Sequence, residues 1–368
     1  MKILYHIPKF SHGGVPTTIL EFVKNNVNSE LEIYIVGCQG EDSLVKEFIK
    51  FNAQVIFIKL NKVSIASLFR LLILIFNIKP DVFHTAGRSG LFYGLFSGPL
   101  IKLLFPLKVF HTFHGFVRSK NKIFSFIHIF FENIYSLFLE SAICVSGSEH
   151  AMVRKFYLIK NKLKIINNGI NVTKKNPPKH ILLCSNNFGL NLVTFSRISR
   201  QKNLIKLLDV YNSVFYNYPN SALHIIGGDV ESDFEYSKSV KDYAQQLPCS
   251  KNVFFWGSVN YASSFLNIFS LYVSSSDFEG LPTAIIEAFI QKVPVVATPC
   301  IGNIDLVNNN TGYLASDMSE KALLDSTLAA IKDINNGMVL EKVNLAHKFS
   351  FDFGVSSFSS KLLRLYNE

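Results

Sequence analysis

Cysteine is scarce in this sequence, and its placement argues against two common ways of holding a chain together. Only 5 cysteines occur among 368 residues, and no two of them stand in a CxxC pair or at a Cys/His ligand spacing. An odd, scattered set of thiols predicts neither a disulfide framework nor a zinc site. We infer a protein of the reducing cytosol.

Long hydrophobic runs are also missing. The opening MKILYHIPKF contains an apolar run too short for a signal peptide and indicates a first strand. Three later segments are rich in apolar residues but are too short or too interrupted to span a bilayer: 67–80, 90–108 and 118–131. The sequence therefore predicts no membrane-spanning helix.

Apolar residues are plentiful, but they occur in short runs. They make up 48% of the chain, which is enough for two ordinary domains with a core in each. β-Branched or aromatic runs alternate with segments of helical period, and most of these runs do not alternate strictly between apolar and polar residues. This pattern predicts parallel strands covered on both faces, in an α/β protein of repeated βαβ units.

A polar, basic and proline-paired segment, NVTKKNPPKH at 171–180, separates two such halves and is the predicted linker. We expect Rossmann-like, doubly wound parallel-sheet domains at 1–172 and 181–345, facing a central cleft. Residues 346–368 are expected to form a helix that packs back toward the N-terminal domain. In such sheets ligands bind beyond the carboxyl ends of the strands, so the strand-end loops are where chemistry is expected.

Positive charge is concentrated in the first half of the chain. The net charge is +13 over residues 1–180 and −3 over residues 181–368. No helix-turn-helix, zinc-finger or RRM-like signature accompanies the basic residues, so nucleic acid is disfavoured as a partner. The Lys-flanked aromatic segment at 118–131 favours a membrane surface instead. The alternative is that all three apolar segments are core helices, and 67–80 fits that alternative best.

Residues 274–289, SSSDFEGLPTAIIEAF, combine a strand end, a turn and a buried helix. Pro282 suits the first helical position, and the free N–H groups around residues 281–284 would attract an anion such as phosphate. Glu279 lies in the loop, whereas Glu287 lies in the helix among apolar residues. Burying an unpartnered carboxylate is costly. Glu287 therefore either accepts a hydrogen bond from a nearby backbone amide or meets a ligand, such as a sugar hydroxyl.

Two cations lie in the segment FSRISRQKN, with Arg197 just after a predicted strand and Lys202 at the start of the following helix. Together they would clamp a diphosphate, the arginine through its planar fork and the lysine as a point charge. Each alone is more often an exposed surface cation. Their presence beside the carboxylates of the later loop favours a ligand site.

Two strand-end loops of the first half are less specific. KFSHGGVPTT contains Gly13 and Gly14, whose backbone could approach a ligand, but the third glycine of a dinucleotide fingerprint is missing. VFHTFHGF contains His111 and His114 with no third metal ligand at a useful spacing, so zinc is disfavoured. We interpret His111 as structural and His114 as the histidine placed to reach the cleft.

Taken together, FEGLPTAIIEAF, SRISRQKN, HGGVPTT and HTFHGF resemble the retaining glycosyltransferases of family 4, group 1 type, which have the two-domain GT-B fold. The resemblance runs from about residue 1 to beyond 345. Glu279 and Glu287 match the two glutamates of that family's E-x7-E element. DVFHTAGRSGLFYG and KVFHTFHGF resemble the branch that builds bacterial capsule and O-antigen polysaccharides. Asn303 and Asp305 depart from the family pattern, near the donor sugar, and Ser196 replaces a common glycine.

The resemblance implies roles for the residues of the strand-end loops. Arg197 and Lys202 would hold the donor diphosphate, helped by the backbone at these residues: Gly14, Leu281, Pro282 and Thr283. Glu279 and the adjoining Gly280 would contact the donor sugar, and Glu287 the ribose. The resemblance also implies that no metal or other cofactor is needed, and no DxD motif is present.

His114 and Glu279 are the catalytic candidates, since the resemblance places His114 against the transferred sugar near the reacting centre. It further implies that the anomeric configuration is retained by a front-face route. In that route the leaving phosphate helps to deprotonate the acceptor.

The sequence thus predicts an enzyme that moves a hexosyl or N-acetylhexosaminyl group from a nucleotide diphosphate-sugar, expected to be a UDP-sugar, to a lipid-linked or saccharide acceptor. We expect it in bacterial surface polysaccharide biosynthesis, peripheral on the inner face of the cytoplasmic membrane, with no nucleic-acid partner. The alternatives are a nucleotide-sugar 2-epimerase of similar fold and a non-catalytic nucleotide-sugar-binding subunit. An NAD-dependent oxidoreductase fits least well because the glycine fingerprint is incomplete.

Overall fold

The computed structural model describes these residues: 1–11, 13–27, 30–116, 122–173, 175–230 and 233–368. The chain divides into two compact units, of which the first comprises Met1–Ile170 and Phe353–Glu368 and the second Asn171–Asp352. The division after Ile170 falls at the start of the segment expected to be a linker. Residues 346–352, assigned from the sequence to the C-terminal helical segment, belong to the second unit.

The first unit is built on a parallel sheet of seven strands in the order β3-β2-β1-β4-β5-β6-β7. The strands are β1 (Lys2–Lys9), β2 (Glu32–Cys38), β3 (Gln54–Phe57), β4 (Val82–Ala86), β5 (Lys108–Thr112), β6 (Ser141–Cys144) and β7 (Leu163–Ile165). The helices between them are α1 (Gly14–Asn25), α2 (Asp42–Lys50), α3 (Ile65–Ile78), α4 (Gly87–Lys102), α5 (Lys122–Phe138) and α6 (Gly147–Arg154).

Both faces of this sheet are buried, which explains why its strands read as continuous apolar runs. Leu4 and Phe83 belong to a core formed with the helices α3, α4 and α5. Their neighbours Ile3 and Val82 face the other way, into a core formed with α1 and α2. Successive residues of a strand point to opposite faces, so each strand serves two cores.

The second unit contains a parallel sheet of six strands in the order β10-β9-β8-β11-β12-β13. Its strands are β8 (Leu190–Phe195), β9 (Ser221–Ile226), β10 (Val253–Gly257), β11 (Leu271–Ser274), β12 (Val295–Ala297) and β13 (Tyr313–Leu314). Its helices are α7 (Lys179–Ser185), α8 (Leu204–Asn217), α9 (Phe234–Gln246), α10 (Thr283–Ile290), α11 (Asn303–Leu306), α12 (Glu320–Asn335) and α13 (Leu340–Ser350).

The last helix, α14 (Val355–Asn367), belongs to the first unit. The N–H of Ile170 donates to the carbonyl of Phe353 at 2.9 Å, which ties the entry of this helix to the end of the first segment. Phe358 and Leu362 then enter the same core as Phe22 of α1. The helix thus completes the cover of one sheet face. The two parallel sheets with interleaved helices confirm the predicted α/β class.

Each sheet has one point at which the strand order reverses. β1 pairs with both β2 and β4 in the first unit, and β8 pairs with both β9 and β11 in the second. Crevices at such switch points are where open α/β sheets bind ligands. The loops that follow β8 and β11 contain the predicted cations and Glu279, so the fold brings them together.

Candidate active site

The loop after β8 contains the two predicted cations. Arg197 follows the strand, and Lys202 ends a short 3-10 turn, Arg200–Lys202, ahead of α8. The expectation that Lys202 starts α8 is wrong. Asn203 adopts a left-handed conformation with φ 47°, which interrupts the helical path, so the helix begins only at Leu204. Lys202 therefore sits in a turn rather than in the first turn of a helix.

Lys202 forms an ion pair with Glu279 of the loop after β11. The Nζ and Oε1 atoms are 2.6 Å apart, and the two side chains are 18% and 8% exposed. The Ser276 hydroxyl donates to the same carboxylate oxygen at 2.6 Å, and the Gln201 amide donates to the other at 3.2 Å. A buried carboxylate needs such partners to remain charged. The sequence assigned Lys202 and Glu279 to different parts of a ligand, whereas the structure pairs them directly.

Ser276 and Gln201 were not singled out from the sequence as site residues. The serine run at the end of β11 is the signal that could have found Ser276, whereas Gln201 has no signal beyond its place between Arg197 and Lys202. All three serines are buried in the structure. Ser275 donates to the carbonyl of Lys202 at 2.8 Å, which ties the two loops together.

Arg197 is exposed and forms no ion pair with any residue that the structure describes. Its loop passes close to the loop after β9. A Cβ placed on Gly227, where φ is 150°, would lie 2.0 Å from the carbonyl oxygen of Ser196. Only glycine permits this approach. The arginine side chain is thus available to an anion at the edge of the sheet.

The start of α10 provides backbone donors in the second unit. Pro282 is the N-cap residue, so the prediction of proline at the first helical position is wrong by one residue; the helix starts at Thr283. No described side chain caps this start. The N–H groups of Thr283 and Ala284, which open the helix, therefore have no partners within it and favour an anion.

The residues just before α10 shape the approach to it. Leu281 is buried. Gly280 packs closely on Gly302, because a Cβ on Gly302 would lie 2.8 Å from the Gly280 carbonyl oxygen. The Glu279 N–H donates to the carbonyl of Ile301 at 3.1 Å. This loop is consequently fixed by the segment that precedes α11, which contains Asn303 and its buried side chain.

Glu287 lies in α10 with its Oε2 atom shielded from solvent and without a hydrogen-bond partner among the described residues. Burial raises the pKa of this carboxyl from its ordinary 4.5 to about 7. One alternative was that a nearby backbone amide donates to Glu287. No such donor reaches its Oε2 atom among the described residues. A carboxylate oxygen left without a donor in the free protein is suited to accept one from a ligand.

Gly14 and His114 lie in the first unit. Gly14 is the first residue of α1, which follows β1 and has Gly13 as its uncapped N-cap residue. His114 follows β5 in a left-handed conformation with φ 51°. Burial lowers the pKa of the His114 imidazole to about 4, so the ring is neutral at pH 7 and can donate one hydrogen bond and accept another.

Three further histidines are buried near the carboxyl edge of the first sheet. His111 contacts the Thr85 hydroxyl at 2.8 Å and is structural, as expected. His84 contacts the Tyr366 hydroxyl of α14 at 2.5 Å and the Thr112 hydroxyl at 2.7 Å. The third is His6. Neither His84 nor His6 was identified from the sequence, because a lone histidine in an apolar strand carries no signal of its partners.

Solved structures share this fold, among them a glycosyltransferase from Rickettsia africae with a TM-score of 0.79 at 20% identity, covering 99% of this chain and 97% of that one. The Anabaena protein HepE, in complex with UDP and glucose, superposes with a TM-score of 0.84 at 17% identity, covering 99% of this chain and 98% of that one. A likeness at this identity establishes the fold, which is the GT-B fold of glycosyltransferases.

Two family models match the chain, one for each half. The model "Glycosyltransferase Family 4" matches residues 12–174, and the model "Glycosyl transferases group 1" matches residues 189–342. Together they account for most of the sequence. The chain belongs to the family 4, group 1 glycosyltransferases, and it is an enzyme of the glycosyltransferase class.

Two curated relatives extend over most of the chain. The Escherichia coli UDP-Gal:alpha-D-GlcNAc-diphosphoundecaprenol alpha-1,3-galactosyltransferase is 24% identical over 82% of this chain and 78% of its own length. The Staphylococcus aureus capsular polysaccharide biosynthesis glycosyltransferase CapH is 24% identical over 100% of this chain and 98% of its own. The first name describes a galactosyltransferase with a UDP-Gal donor and a diphosphoundecaprenol-linked acceptor, and the second describes a glycosyltransferase of capsular polysaccharide biosynthesis.

Proposed function

We propose that this enzyme transfers a hexosyl or N-acetylhexosaminyl group from a UDP-sugar to a lipid-linked saccharide during the biosynthesis of a bacterial surface polysaccharide, with retention of anomeric configuration. The observation that carries the proposal is the Lys202–Glu279 pair, 2.6 Å apart at the switch point of the second sheet. The names of the two curated relatives support the donor and acceptor classes.

Lys202 can serve Glu279 and a diphosphate at once. Its ammonium group has three N–H donors, and the ion pair with Glu279 uses one of them. Arg197 adds a planar fork that matches two phosphate oxygens. The backbone at Leu281, Pro282 and Thr283 leads into the uncapped start of α10, and Gly14 starts the corresponding helix of the first unit. These groups form the proposed diphosphate site.

In this proposal the carboxylates of Glu279 and Glu287 bind different parts of the donor, the transferred sugar and the ribose. Glu279, held by Lys202, Ser276 and Gln201, accepts hydroxyl hydrogens of the transferred sugar, with Gly280 beside it. Glu287 accepts hydrogen bonds from the ribose hydroxyls at its unpartnered Oε2. Carboxylates in low-dielectric surroundings are strong acceptors for hydroxyl groups. His114, neutral at pH 7, contacts the transferred sugar near the reacting carbon.

The reaction proposed for these residues is a front-face displacement without a metal ion. The bond between the anomeric carbon and the diphosphate oxygen breaks, and the departing phosphate oxygen takes the proton of the acceptor hydroxyl. That hydroxyl oxygen then bonds to the same face of the sugar. Arg197, Lys202 and the start of α10 stabilise the negative charge that develops on the diphosphate. Fixed cations and oriented amides are well suited to that task because they need no reorganisation.

The test is a panel of nucleotide sugars incubated with polyprenyl-diphosphate saccharides, read by mass spectrometry and by NMR of the new anomeric centre. We expect one UDP-sugar to yield a product with the donor's anomeric configuration. Conversion of the donor without any acceptor would instead identify an epimerase. Nucleotide binding with no turnover across the panel would favour the non-catalytic alternative.

The outer helices of the first unit support a membrane-bound location. The helix α4 packs between α3 and α5, and large apolar side chains are exposed along one stripe of each. They include Ile65, Phe69, Ile73 and Phe76 on α3, Phe96 and Leu100 on α4, and Ile123, Phe124, Phe126, Ile127, Phe130, Phe131 and Leu137 on α5. The expectation of a core helix over 67–80 holds only for the side of α3 that contains Leu71 and Ile75.

Charge on these three helices also favours a lipid surface. Their only acidic residue is Glu132, which is buried, whereas Arg70 and Arg88 are exposed. No helix among the described residues is long and apolar enough to cross a bilayer. Part of the segment 118–131 that suggested membrane contact lies outside the described residues. We propose that the apolar stripes of α3–α5 rest on the inner face of the cytoplasmic membrane.

Flotation with vesicles tests this location. We expect the wild-type protein to float with phosphatidylglycerol vesicles, and the Phe69→Ser/Phe126→Ser variant to lose binding roughly tenfold or more, since each ring contributes about 1–2 kcal/mol when buried in lipid. The matched control is Phe234→Ser/Phe351→Ser, which removes two equally exposed rings from the second unit. Equal loss in both variants, or no wild-type binding to either anionic or neutral vesicles, would count against the proposal.

A further inference from the structure

The loop that presents His114 has an unusual backbone. His114 and Gly115 have consecutive positive φ angles, 51° and 108°. A non-glycine residue in this region costs about 1 kcal/mol or more unless the surroundings hold it there. Consecutive N–H groups of such a segment converge on one side and form a concave site for an anion.

A side chain of the same unit fills that concave site. The N–H groups of Gly115 and Phe116 both donate to Oε1 of Glu149, at 2.6 and 2.9 Å. The other oxygen of this carboxylate accepts the N–H of Val145 at 2.7 Å. Glu149 is fully buried, and these three amides are donors of the kind that a buried carboxylate requires.

Glu149 is itself held in place by the helix to which it belongs. It lies in the first turn of α6, where the N-cap Ser146 accepts its N–H at 3.2 Å. A negative charge in the first turn also complements the positive end of the helix dipole. The carboxylate therefore has a fixed position, set by α6, from which it dictates the path of the loop after β5.

We propose that Glu149 is the positioning residue for His114: its carboxylate fixes the left-handed turn from which His114 contacts the transferred sugar. This inference rests on the proposed role of His114 in transfer. Without the carboxylate, the amides of Gly115 and Phe116 lose their shared acceptor, and the turn relaxes toward ordinary backbone angles. The imidazole is then displaced from the reacting sugar, whereas the donor site of the second unit is untouched.

The experiment combines kinetics with amide hydrogen exchange in the full chain. Glu149→Gln keeps the size of the side chain but replaces one acceptor oxygen with a donor. We expect about a tenfold to hundredfold lower kcat with little change in the KM for the UDP-sugar, and faster exchange of the amides of Gly115 and Phe116. Glu149→Asp keeps both oxygens and should recover part of the rate.

Coupling to His114 distinguishes positioning from a general loss of structure. In a His114→Ala background, Glu149→Gln should lower the rate no further, because the two residues act as one unit. The matched control is Glu132→Gln, another buried glutamate of the same unit, which should leave both the rate and the two amides unchanged. Equal losses in both backgrounds, or faster exchange with a wild-type rate, would overturn the proposal.

Failure of the proposed function gives a different result. If no UDP-sugar is turned over by the wild type, the transferase proposal fails, yet the exchange measurement still reports whether Glu149 fixes the turn. If Glu149→Gln does not fold, Glu149→Asp, whose shorter side chain weakens the contacts with the two amides, carries the comparison with a smaller expected loss. Wild-type exchange of both amides in either folded variant would overturn the inference on its own.

Discussion

The carboxyl edges of the two sheets bury different kinds of polar group. In the first unit, burial lowers the pKa of His6 and of His84 to about 3, so both rings are neutral at pH 7. In the second unit, the corresponding edge contains a charged pair, Lys202 and Glu279, with Arg197 exposed beside it. One architecture thus provides a strand edge with buried neutral histidines beside the carboxylate of Glu149 and a charged edge formed by Lys202, Glu279 and Arg197.

The difference bears on the proposed transfer reaction. A leaving diphosphate would need fixed positive charge, and the second unit has Lys202 and Arg197 at its switch point. Sugar hydroxyl groups would need hydrogen-bond acceptors and donors, and the neutral imidazole of His114 can provide one of each. The outer surfaces differ as well, because exposed apolar stripes cover three adjacent helices, α3, α4 and α5, in the first unit.

The largest expected effect comes from removing the exposed cation of the charged edge. Arg197→Ala should lower kcat/KM for the UDP-sugar by about 10²–10³-fold, the usual cost of losing one group that stabilises a developing oxyanion. The melting temperature should not change, since Arg197 has no ion-pair partner among the described residues. The control is Lys332→Ala, an exposed cation on α12. A wild-type rate in Arg197→Ala would remove the arginine from the site.

A middle-sized effect concerns two glutamates whose pKa values are raised by burial, Glu287 in the second unit and Glu132 in the first. Burial raises the pKa of Glu287 from 4.5 to about 7. The folded state then binds more protons than the unfolded state between these values. The free energy of unfolding should therefore fall as pH rises from 4.5 to 7, by at most about 3 kcal/mol. Glu287→Gln should flatten this dependence in urea titrations and weaken UDP binding about tenfold.

Glu132 of the first unit provides the comparison with Glu287. Burial raises the pKa of Glu132 to about 8. Glu132→Gln should also flatten the pH dependence of stability, but it should leave UDP affinity unchanged. In the wild type, UDP should bind more tightly as pH rises from 6 to 8, because the ionised Glu287 is the better acceptor for ribose hydroxyls. A large loss of stability in Glu287→Gln, with unchanged UDP affinity of the folded protein, would restore a structural role for this carboxylate.

The smallest expected effect is that of metal removal. Because the proposed diphosphate site relies on Arg197, Lys202 and the start of α10, treatment with EDTA should change the transfer rate by less than about twofold. The measurement is the initial rate after dialysis against the chelator, compared with the same sample after Mg²⁺ is added back. If the transfer rate is lost in EDTA and recovers with Mg²⁺, then Arg197 and Lys202 do not suffice to stabilise the diphosphate without a metal ion.

Strand positions were accessible from the sequence because both faces of each sheet are covered. The run EIYIVGC at 32–38 matches β2 throughout. At the carboxyl ends of the strands the predicted bounds agree less well with the structure. The run KVFHTFHG was predicted as a strand over 108–115, whereas β5 ends at Thr112. The reason is physical, since His114 and Gly115 take left-handed angles that Glu149, distant in sequence, supports. Local pattern contains no information on such a partner.

The site was predictable as a set of residues, but not as a set of contacts. The charges of Lys202 and Glu279 stand out in loops after predicted strands, yet their pairing depends on β8 and β11 being neighbours. Strand order follows from packing of the whole sheet rather than from any local segment. The apolar surroundings of Glu287 were predictable from its neighbours in α10, and the structure adds the shielded, unpartnered Oε2 atom of this half-buried side chain.

The most direct test of the central claim, that the charged edge of the second unit binds the donor diphosphate, is calorimetric titration of UDP into the wild type and into Arg197→Ala/Lys202→Ala. The account predicts saturable binding to the wild type and an affinity at least about a hundredfold lower in the variant, with the fold confirmed by circular dichroism. Equal affinity in the two proteins, or no binding of UDP to the wild type, would contradict it.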